Sequence, residues 1–221
     1  NPSGEVRGQI VPDTTAVVTF PLSGNQSVPT VDTTASGSGY ALFDTTSDSV
    51  YLVAATTIDN ATMAHIHSGF AGENGGVVVT LVQNEMNAGT WMTNGYVTLD
   101  EATAAQLLSG GHYVNIHTEA FPSGEIRGQI TPDNIQVFGI MATGAQEVPA
   151  VETSASGAGA FTLNTTTGAL SGSVTITGMT ANMAHIHEGV AGANGGVILG
   201  LEGMDGVWSV PSSTILTADQ M

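Results

Sequence analysis

The feature that most constrains the fold of this chain is a long internal repeat. The octapeptide Ser3–Ile10 returns 120 residues later as Ser123–Ile130, with one exchange of valine for isoleucine. The pentapeptide Met63–His67 returns unchanged at the same offset as Met183–His187. A period of about 120 residues is the size of an ordinary domain and far exceeds that of a solenoid repeat. The chain is therefore predicted to contain copies of one domain in series.

The phase of the repeat sets the expected domain boundaries. Residues 1–12 match the last strand of a unit, so they are predicted to be the tail strand of a preceding unit or a donor strand. Residues 13–132 form one complete unit. Residues 133–221 form a second unit that is truncated at its C-terminal end, without counterparts of 105–120. Unpaired strand edges are costly. We therefore expect either further repeats in the same chain or a head-to-tail homopolymer, in which Gly4–Ile10 completes a neighbour's second unit by strand addition.

The composition excludes several classes of partner. The chain has two basic residues, both arginine, against 19 acidic ones, and its formal net charge is −17. Such a surface repels nucleic acid and anionic lipid. The sequence also contains no run of 18 apolar residues, the length that a helix needs to cross a bilayer. We predict no nucleic-acid binding and no membrane insertion, and divalent cations are better candidates. The absence of cysteine rules out disulfides and thiolate metal sites.

Short strand-like segments, interrupted by Gly, Asn, Asp, Ser and Pro every 8 to 12 residues, predict an all-β fold of antiparallel β-sandwich domains. One segment of the unit, Asp100–Leu108, has an acidic start and a Gly-Gly stop that favour a short helix. The predicted strands are Ala16–Leu22, Gly39–Asp44, Ser49–Ile58, Met63–His67, Val77–Val82, Tyr96–Leu99, Tyr113–His117, Glu125–Ile130 and, in the second unit, Gly172–Ile176.

Paired histidines are the best candidates for chemistry. His65 and His67 lie two residues apart on a predicted strand and therefore share one face, as do His185 and His187 in the second unit. His117 ends another predicted strand. Three neutral nitrogen donors suit copper or zinc, so we predict a metal site, most simply for copper, with zinc or calcium as alternatives. A purely structural cluster of polar residues is the competing interpretation.

Both arginines lie in the repeated octapeptide. Because residues two apart share a strand face, Glu5 with Arg7 and Glu125 with Arg127 are predicted to form structural ion pairs, with Glu147 as another possible partner of Arg127. Ligand binding by this arginine is the alternative. The Gly-rich loop at 72–76 lacks the Lys-Ser/Thr that a phosphate-binding loop requires, and we interpret it as a tight turn.

An ordered series of motifs resembles the CHRD domain, which is named from chordin and occurs in tandem in secreted prokaryotic proteins. The motifs are Gln-x-Val-Pro, Ala-Ser-Gly, Ala-His-Ile-His-x-Gly, Asn-Gly-Gly-Val, Tyr-Val-Asn-Ile-His-Thr and Pro-Ser-Gly-Glu-Ile-Arg-Gly-Gln-Ile. They extend over nearly the whole chain. The resemblance implies an extracellular β-sandwich and does not imply an established activity.

Residues 175–188 are also similar to the copper-ligand strand of Cu/Zn superoxide dismutases. That resemblance implies a Greek-key sandwich in which His65, His67 and His117 match three copper ligands. The bridging histidine, zinc ligands, disulfide and active-site arginine of that family have no matching motif here. The net charge of −17 would also repel superoxide.

We therefore expect an extracellular structural protein, the subunit of a fibre or surface assembly built from CHRD-like domains that bind a metal ion, with copper as the favoured ion. The domains could be joined by β-strand donation. The alternative is a soluble secreted metal-binding protein or a metal-dependent oxidoreductase of superoxide dismutase type. No catalytic residue is predicted, and an enzymatic role is the less favoured one.

Overall fold

The computed structural model describes residues 14–204 and 206–221, which include ten strands of the first unit and six of the second. The expected roles of residues 1–12, including Glu5, Arg7 and the donor strand, lie outside these residues. The first unit comprises β1 (Thr15–Ser23), β2 (Ser36–Asp44), β3 (Ser49–Thr56), β4 (Met63–Ser68), β5 (Val77–Thr80), β6 (Val82–Asn84), β7 (Asn87–Met92), β8 (Val97–Thr98), α1 (Glu101–Leu108), β9 (His112–His117) and β10 (Ile126–Ile130).

The strands of the first unit form a closed antiparallel sheet. Their order is β5-β4-β9-β10-β1-β2-β3-β7-β6, and β8 pairs with β3. β5 and β6 lie at opposite ends of this order, although only Leu81 separates them in the chain. The segment 77–84 therefore joins both ends of the sheet, and the predicted all-β sandwich architecture is confirmed.

The core lies inside this closed sheet and is built by the alternation of side chains along each strand. Val18, Phe20 and Leu22 of β1 point inward, as do Val114 and Ile116 of β9. Each such side chain contributes about 1.5–3 kcal/mol when it is removed from water. The alternate side chains of β9, Tyr113, Asn115 and His117, therefore lie on the outer face of the sheet.

One predicted strand is divided in the structure, and one strand of the structure was not predicted. The predicted strand Val77–Val82 is divided at Leu81, which is buried in the core and donates its backbone N–H to Ala64. The strand β7 was not predicted, because Asn87–Met92 lacks apolar alternation and is fixed by pairing with β3 and β6. Long-range pairing decides the structure of such a segment.

The predicted helix is confirmed in the first unit. The Asp100 carboxylate caps it by accepting from the Thr103 N–H at 2.9 Å. Gly110 follows at φ +78°, a conformation that favours glycine. Among the described residues of the second unit the helical segment is the 3₁₀ turn Gly144–Gln146, which matches the 3₁₀ turn Gly24–Gln26 of the first unit and not α1. Within the described residues an α-helix is therefore found in the first unit alone. The described part of the chain contains no helix long and apolar enough to cross a membrane.

The second unit repeats the first as far as β8, whose counterpart is a single bridge between Ala169 and Ile215. It comprises β11 (Ile135–Thr143), β12 (Ser156–Asn164), β13 (Leu170–Thr177), β14 (Ala184–His187), β15 (Val197–Met204) and β16 (Val207–Ser209). The strand order is β11-β12-β13-β16-β15-β14. Among the described strands β11 and β14 lie at the two ends of this order, and they correspond to β1 and β4, which in the first unit pair with β10 and β9.

The two units meet where a loop of the first lies on strands of the second. We call Gly69–Gly76, which connects β4 to β5, the cover loop. The Ser173 hydroxyl of β13 donates to the Gly72 carbonyl at 3.3 Å. A Cβ on Gly72 would come within 2.8 Å of the Ala160 nitrogen. The units are therefore in direct contact at this loop.

A buried histidine makes stability sensitive to acid. His112 lies on the core side of β9 with no solvent exposure, and neither ring nitrogen has a hydrogen-bond partner among the described residues. Burial lowers the pKa of His112 to about 4, although the backbone of Gln106 acts in the opposite direction. The unfolded chain, with a pKa near 6.5, takes up the proton first as pH falls.

We expect the neutral form of His112 to contribute full stability above pH 6.5, and up to about 3 kcal/mol to be lost between pH 6.5 and 4. Urea unfolding followed by Trp91 fluorescence, in a Trp208→Phe background, measures this loss. The variant His112→Gln should show a weaker pH dependence than the parent over this interval. Equal pH slopes in the two proteins would contradict the assignment.

Candidate functional site

The outer face of β4, β9 and β10 carries a row of polar and aromatic side chains. The reason is the strand alternation, since Ala64, Ile66, Val114 and Ile116 occupy the core side. Register pairs His65 with Asn115 and His67 with Tyr113. The side chains of this outer face are His65, His67, Tyr113, Asn115, His117, Arg127 and Gln129.

Three histidines converge on this face as the sequence spacing predicts. One potential ligand atom from each of His65, His67 and His117 lies within 4.8 Å of the others. His65 Nδ1 and His117 Nε2 are 3.2 Å apart. A tetrahedral ion with metal–nitrogen bonds of about 2.0–2.1 Å separates its ligands by about 3.4 Å. The cluster can therefore hold one ion after small side-chain adjustments.

Backbone carbonyls orient two of these rings. His67 Nδ1 lies 2.9 Å from the Gly75 carbonyl, and His117 Nδ1 lies 3.0 Å from the Pro122 carbonyl. Because a carbonyl oxygen only accepts, each Nδ1 carries the hydrogen and each Nε2 keeps its lone pair. His67 Nε2 is buried and has no hydrogen-bond partner among the described residues. Metal-ligating histidines are oriented by their second nitrogen in this way.

The surroundings also lower the pKa of two of the imidazoles, those of His65 and His67. Burial, followed by the proximity of His117 and His67, lowers the pKa of His65. Burial lowers the pKa of His67 as well, with smaller contributions from His117 and Arg127, while the bond to Gly75 acts in the opposite direction. Since metals bind neutral imidazole, these two groups need not lose a proton at neutral pH.

Arg127 is buried and hydrogen-bonded within the first unit, but the predicted ion pair with Glu125 is wrong. The guanidinium donates to the carbonyls of Phe70 and Glu73 and to Gln129 Oε1. The Glu125 carboxylate instead accepts from the hydroxyls of two threonines, Thr33 and Thr118, at 2.8 and 2.9 Å. The physical reason is the cover loop, whose carbonyls surround the guanidinium. Nor does Glu147, the other predicted partner, lie among these hydrogen-bond acceptors.

Tyr113 and Gln129 are part of the site and were not predicted from the sequence. The Arg127 guanidinium carbon lies 3.5 Å from the centre of the Tyr113 ring. The same ring stacks on His67, with centroids 5.1 Å apart and planes 10° apart. Gln129 Nε2 donates to Gly69 at 2.9 Å. The sequence did contain a signal for both residues, because Tyr113 lies an even number of positions from His117, and Gln129 from Arg127, which places each pair on the same strand face.

Burial lowers the pKa of Arg127 to about 10, against the opposing effects of Tyr113 and Glu73. The guanidinium therefore remains charged at neutral pH. Its positive charge, held by the cover loop, lies next to the histidine cluster. This charge accounts for part of the lowered pKa of His67.

The second unit keeps part of the arrangement. The rings of His185 and His187 are 5.8 Å apart, and His187 Nδ1 lies 3.0 Å from the Gly195 carbonyl, as His67 does from Gly75. Within the described residues no third histidine joins this pair, and the group of three occurs in the first unit alone.

The fold and site together define a tandem β-sandwich protein with a three-histidine cluster on the outer face of its first unit. A family model for the CHRD domain matches residues 18–130 and 138–221, one segment in each unit. The chain therefore belongs to the CHRD domain family. Searches of curated proteins and of solved structures found no significant match.

Proposed function

We propose that the first unit binds one copper ion through His65, His67 and His117, in an extracellular structural protein. The observation that carries this proposal is the convergence of three histidines, one of which keeps a buried and unpartnered Nε2. CHRD domains are generally extracellular. Three imidazoles without carboxylate favour copper or zinc over calcium, which prefers oxygen ligands.

The assembly part of the proposal concerns the edges of the second unit. β11 corresponds to β1, which in the first unit pairs with β10. The octapeptide Ser3–Ile10 has nearly the sequence of β10 and its preceding turn. We propose that strands of this type cover β11, from further repeats or by β-strand donation from another copy, so that the domains form a fibre or surface array.

A metal-dependent oxidoreductase is the second candidate. His65 is only partly buried, so an ion there could keep one coordination position open to solvent, as catalytic sites require. The net charge of −17 argues against an anionic substrate such as superoxide.

Metal analysis of natively purified protein tests the site. We expect one copper ion per chain, with the electron paramagnetic resonance spectrum of Cu(II) bound by about three nitrogens. The variant His117→Ala should lose this ion, and the matched control His185→Ala should keep it. A chain that takes up no ion, or takes it up equally in both variants, would rule out the proposed site.

A further inference from the structure

A pocket lies beside the histidine cluster on the outer face of the first unit. Its floor contains Asn115 of β9 and Arg127 of β10, which pair in the sheet, and Asn115 also pairs with His65. Its walls are the loops 27–31 and 120–124 and Asn74 of the cover loop. The volume is about 220 Å³. Because a cavity of about 150 Å³ holds benzene, this Arg127 pocket has room for one aromatic ring with a small substituent.

Hydrogen bonds hold the walls of the Arg127 pocket in place. Asn74 Nδ2 donates to the Val28 carbonyl at 2.7 Å, which ties the cover loop to the loop 27–31. Asn115 Nδ2 donates to the Ser123 carbonyl at 3.0 Å, which ties the loop 120–124 to the floor. The pocket is therefore bounded by segments that are fixed to one another and to the sheet.

Arg127 gives this pocket a buried positive charge. The residue is 2% exposed, and its three hydrogen bonds go to neutral oxygens, the carbonyls of Phe70 and Glu73 and the amide of Gln129. The Glu73 carboxylate favours the charged form of Arg127 but accepts its hydrogen bond from the Phe70 N–H. A buried charge without an ionic partner in hydrogen-bond contact attracts an anion to any adjacent open space.

One donor of the guanidinium is free to meet such an anion. A guanidinium has five N–H groups, and the three bonds of Arg127 all start from its terminal nitrogens, Nη1 and Nη2. The Nε–H thus has no acceptor among the described residues. Nε is also absent from the fully enclosed polar atoms that lack a partner. Its N–H is therefore in reach of a molecule in the pocket that Arg127 lines.

We propose that the Arg127 pocket binds a small monocarboxylate with an apolar body, of the size of benzoate. The carboxylate accepts from the Nε–H of Arg127, because charge-assisted bonds to guanidinium are among the strongest that a carboxylate forms. The apolar body contacts Val28, Val31 and Phe121 of the walls. These walls favour a ring over a strongly hydrated inorganic anion, and one guanidinium matches one negative charge.

The acidic composition of the chain is compatible with this ligand. None of the described residues that line the pocket is acidic. Exposed charges farther than about 8 Å are largely screened at physiological ionic strength, so the adjacent guanidinium determines the affinity. The net charge of −17 acts mainly on the rate at which an anion arrives. The pocket requires no bound metal, and its failure would leave the metal proposal intact.

Nuclear magnetic resonance can test the pocket because the chain has only two arginines, Arg7 and Arg127. The arginine Nε–H region of a ¹H–¹⁵N spectrum therefore holds at most two signals, and Arg127→Lys assigns one of them. The full chain is used without added copper, whose paramagnetism would broaden the signal. Benzoate should shift the Arg127 signal saturably in the millimolar range, and neutral benzamide should bind about tenfold or more weakly.

Sodium chloride and inorganic phosphate at the same ionic strength should leave the Arg127 signal in place. If benzoate causes no shift, or if benzamide or phosphate shifts the signal at the same concentration as benzoate, the proposal is overturned.

A pair of variants at Val31, a half-buried residue of the wall, provides a second readout. Val31→Glu places a like charge beside the ligand and should weaken benzoate binding about tenfold or more, whereas the uncharged Val31→Gln should weaken it less. Val82→Glu adds the same charge at a position that is 44% exposed and outside the pocket, and it should bind as the parent does. Circular dichroism verifies that each variant is folded. Equal affinities of Val31→Glu and Val31→Gln would contradict recognition of a carboxylate in this pocket.

Discussion

Replacement of His67 by alanine is expected to remove the stabilisation that bound metal gives to the first unit. An ion that binds only the folded state stabilises it by about 4 kcal/mol when its free concentration is 1,000 times Kd. Loss of one of three ligands should weaken binding at least tenfold to a hundredfold, as loss of supporting residues already does. The parent should therefore melt at a higher temperature with copper than with chelator. At the same copper concentration a hundredfold weaker site gives only about 1.4 kcal/mol, so His67→Ala should show a clearly smaller difference.

The control for this prediction is His187→Ala. His187 makes the same hydrogen bond to its own loop, at Gly195, but belongs to a pair of histidines instead of a group of three. This variant should keep the metal-dependent shift of the first unit. If His67→Ala is destabilised equally with copper and with chelator, His67 is an ordinary structural residue.

Replacement of Arg127 by methionine is expected to destabilise the first unit by about 3–4 kcal/mol. Hydrogen bonds of a charged group contribute about 1.5–3 kcal/mol each, and their loss leaves the Glu73 carbonyl without its Arg127 donor and the Phe70 carbonyl with only the Glu73 N–H. The contact with the Tyr113 ring is lost as well. Arg127→Lys should recover only part of the loss, because an ammonium group lacks the planar fork that reaches several acceptors.

Urea unfolding measures this effect in a Trp208→Phe background, in which Trp91 reports on the first unit alone. Glu125→Gln is the matched control, since the Glu125 carboxylate contacts two threonine hydroxyls and does not contact Arg127. We expect a loss of about 1 kcal/mol or less for this variant. A loss for Arg127→Met no larger than that of the control would show that the cover loop does not depend on the guanidinium.

Local patterns predicted much of the site and of the fold. The i, i+2 spacing of His65 and His67 placed both rings on one face, and the strand that ends at His117 proved to be their neighbour. The acidic start at Asp100 and the Gly110-Gly111 stop predicted α1. These features depend on residues close together in sequence, for which alternation and capping are direct physical rules.

Features that depend on distant segments could not be predicted in this way. The partner of Arg127 was wrong because the cover loop lies 54 to 57 residues away in sequence and binds through backbone carbonyls, which leave no side-chain signature. The stacking of Tyr113 on His67 depends on the pairing of β4 with β9. The strand β7 was missed for a similar reason, since its neighbours in the sheet determine it.

The cover loop connects the proposed binding of a metal ion in the first unit with the contact between the two units. Its Gly75 carbonyl holds His67, and its Gly72 lies on Ser173 of the next unit. An ion that fixes His67 restricts the loop, and a restricted loop loses less conformational freedom when it contacts the next unit. Metal affinity and the rigidity of the joint between units are therefore expected to be coupled, and by thermodynamic reciprocity a stretched or bent joint should bind its ion more weakly. In an array of such units, the supply of metal would set the bending stiffness of the whole.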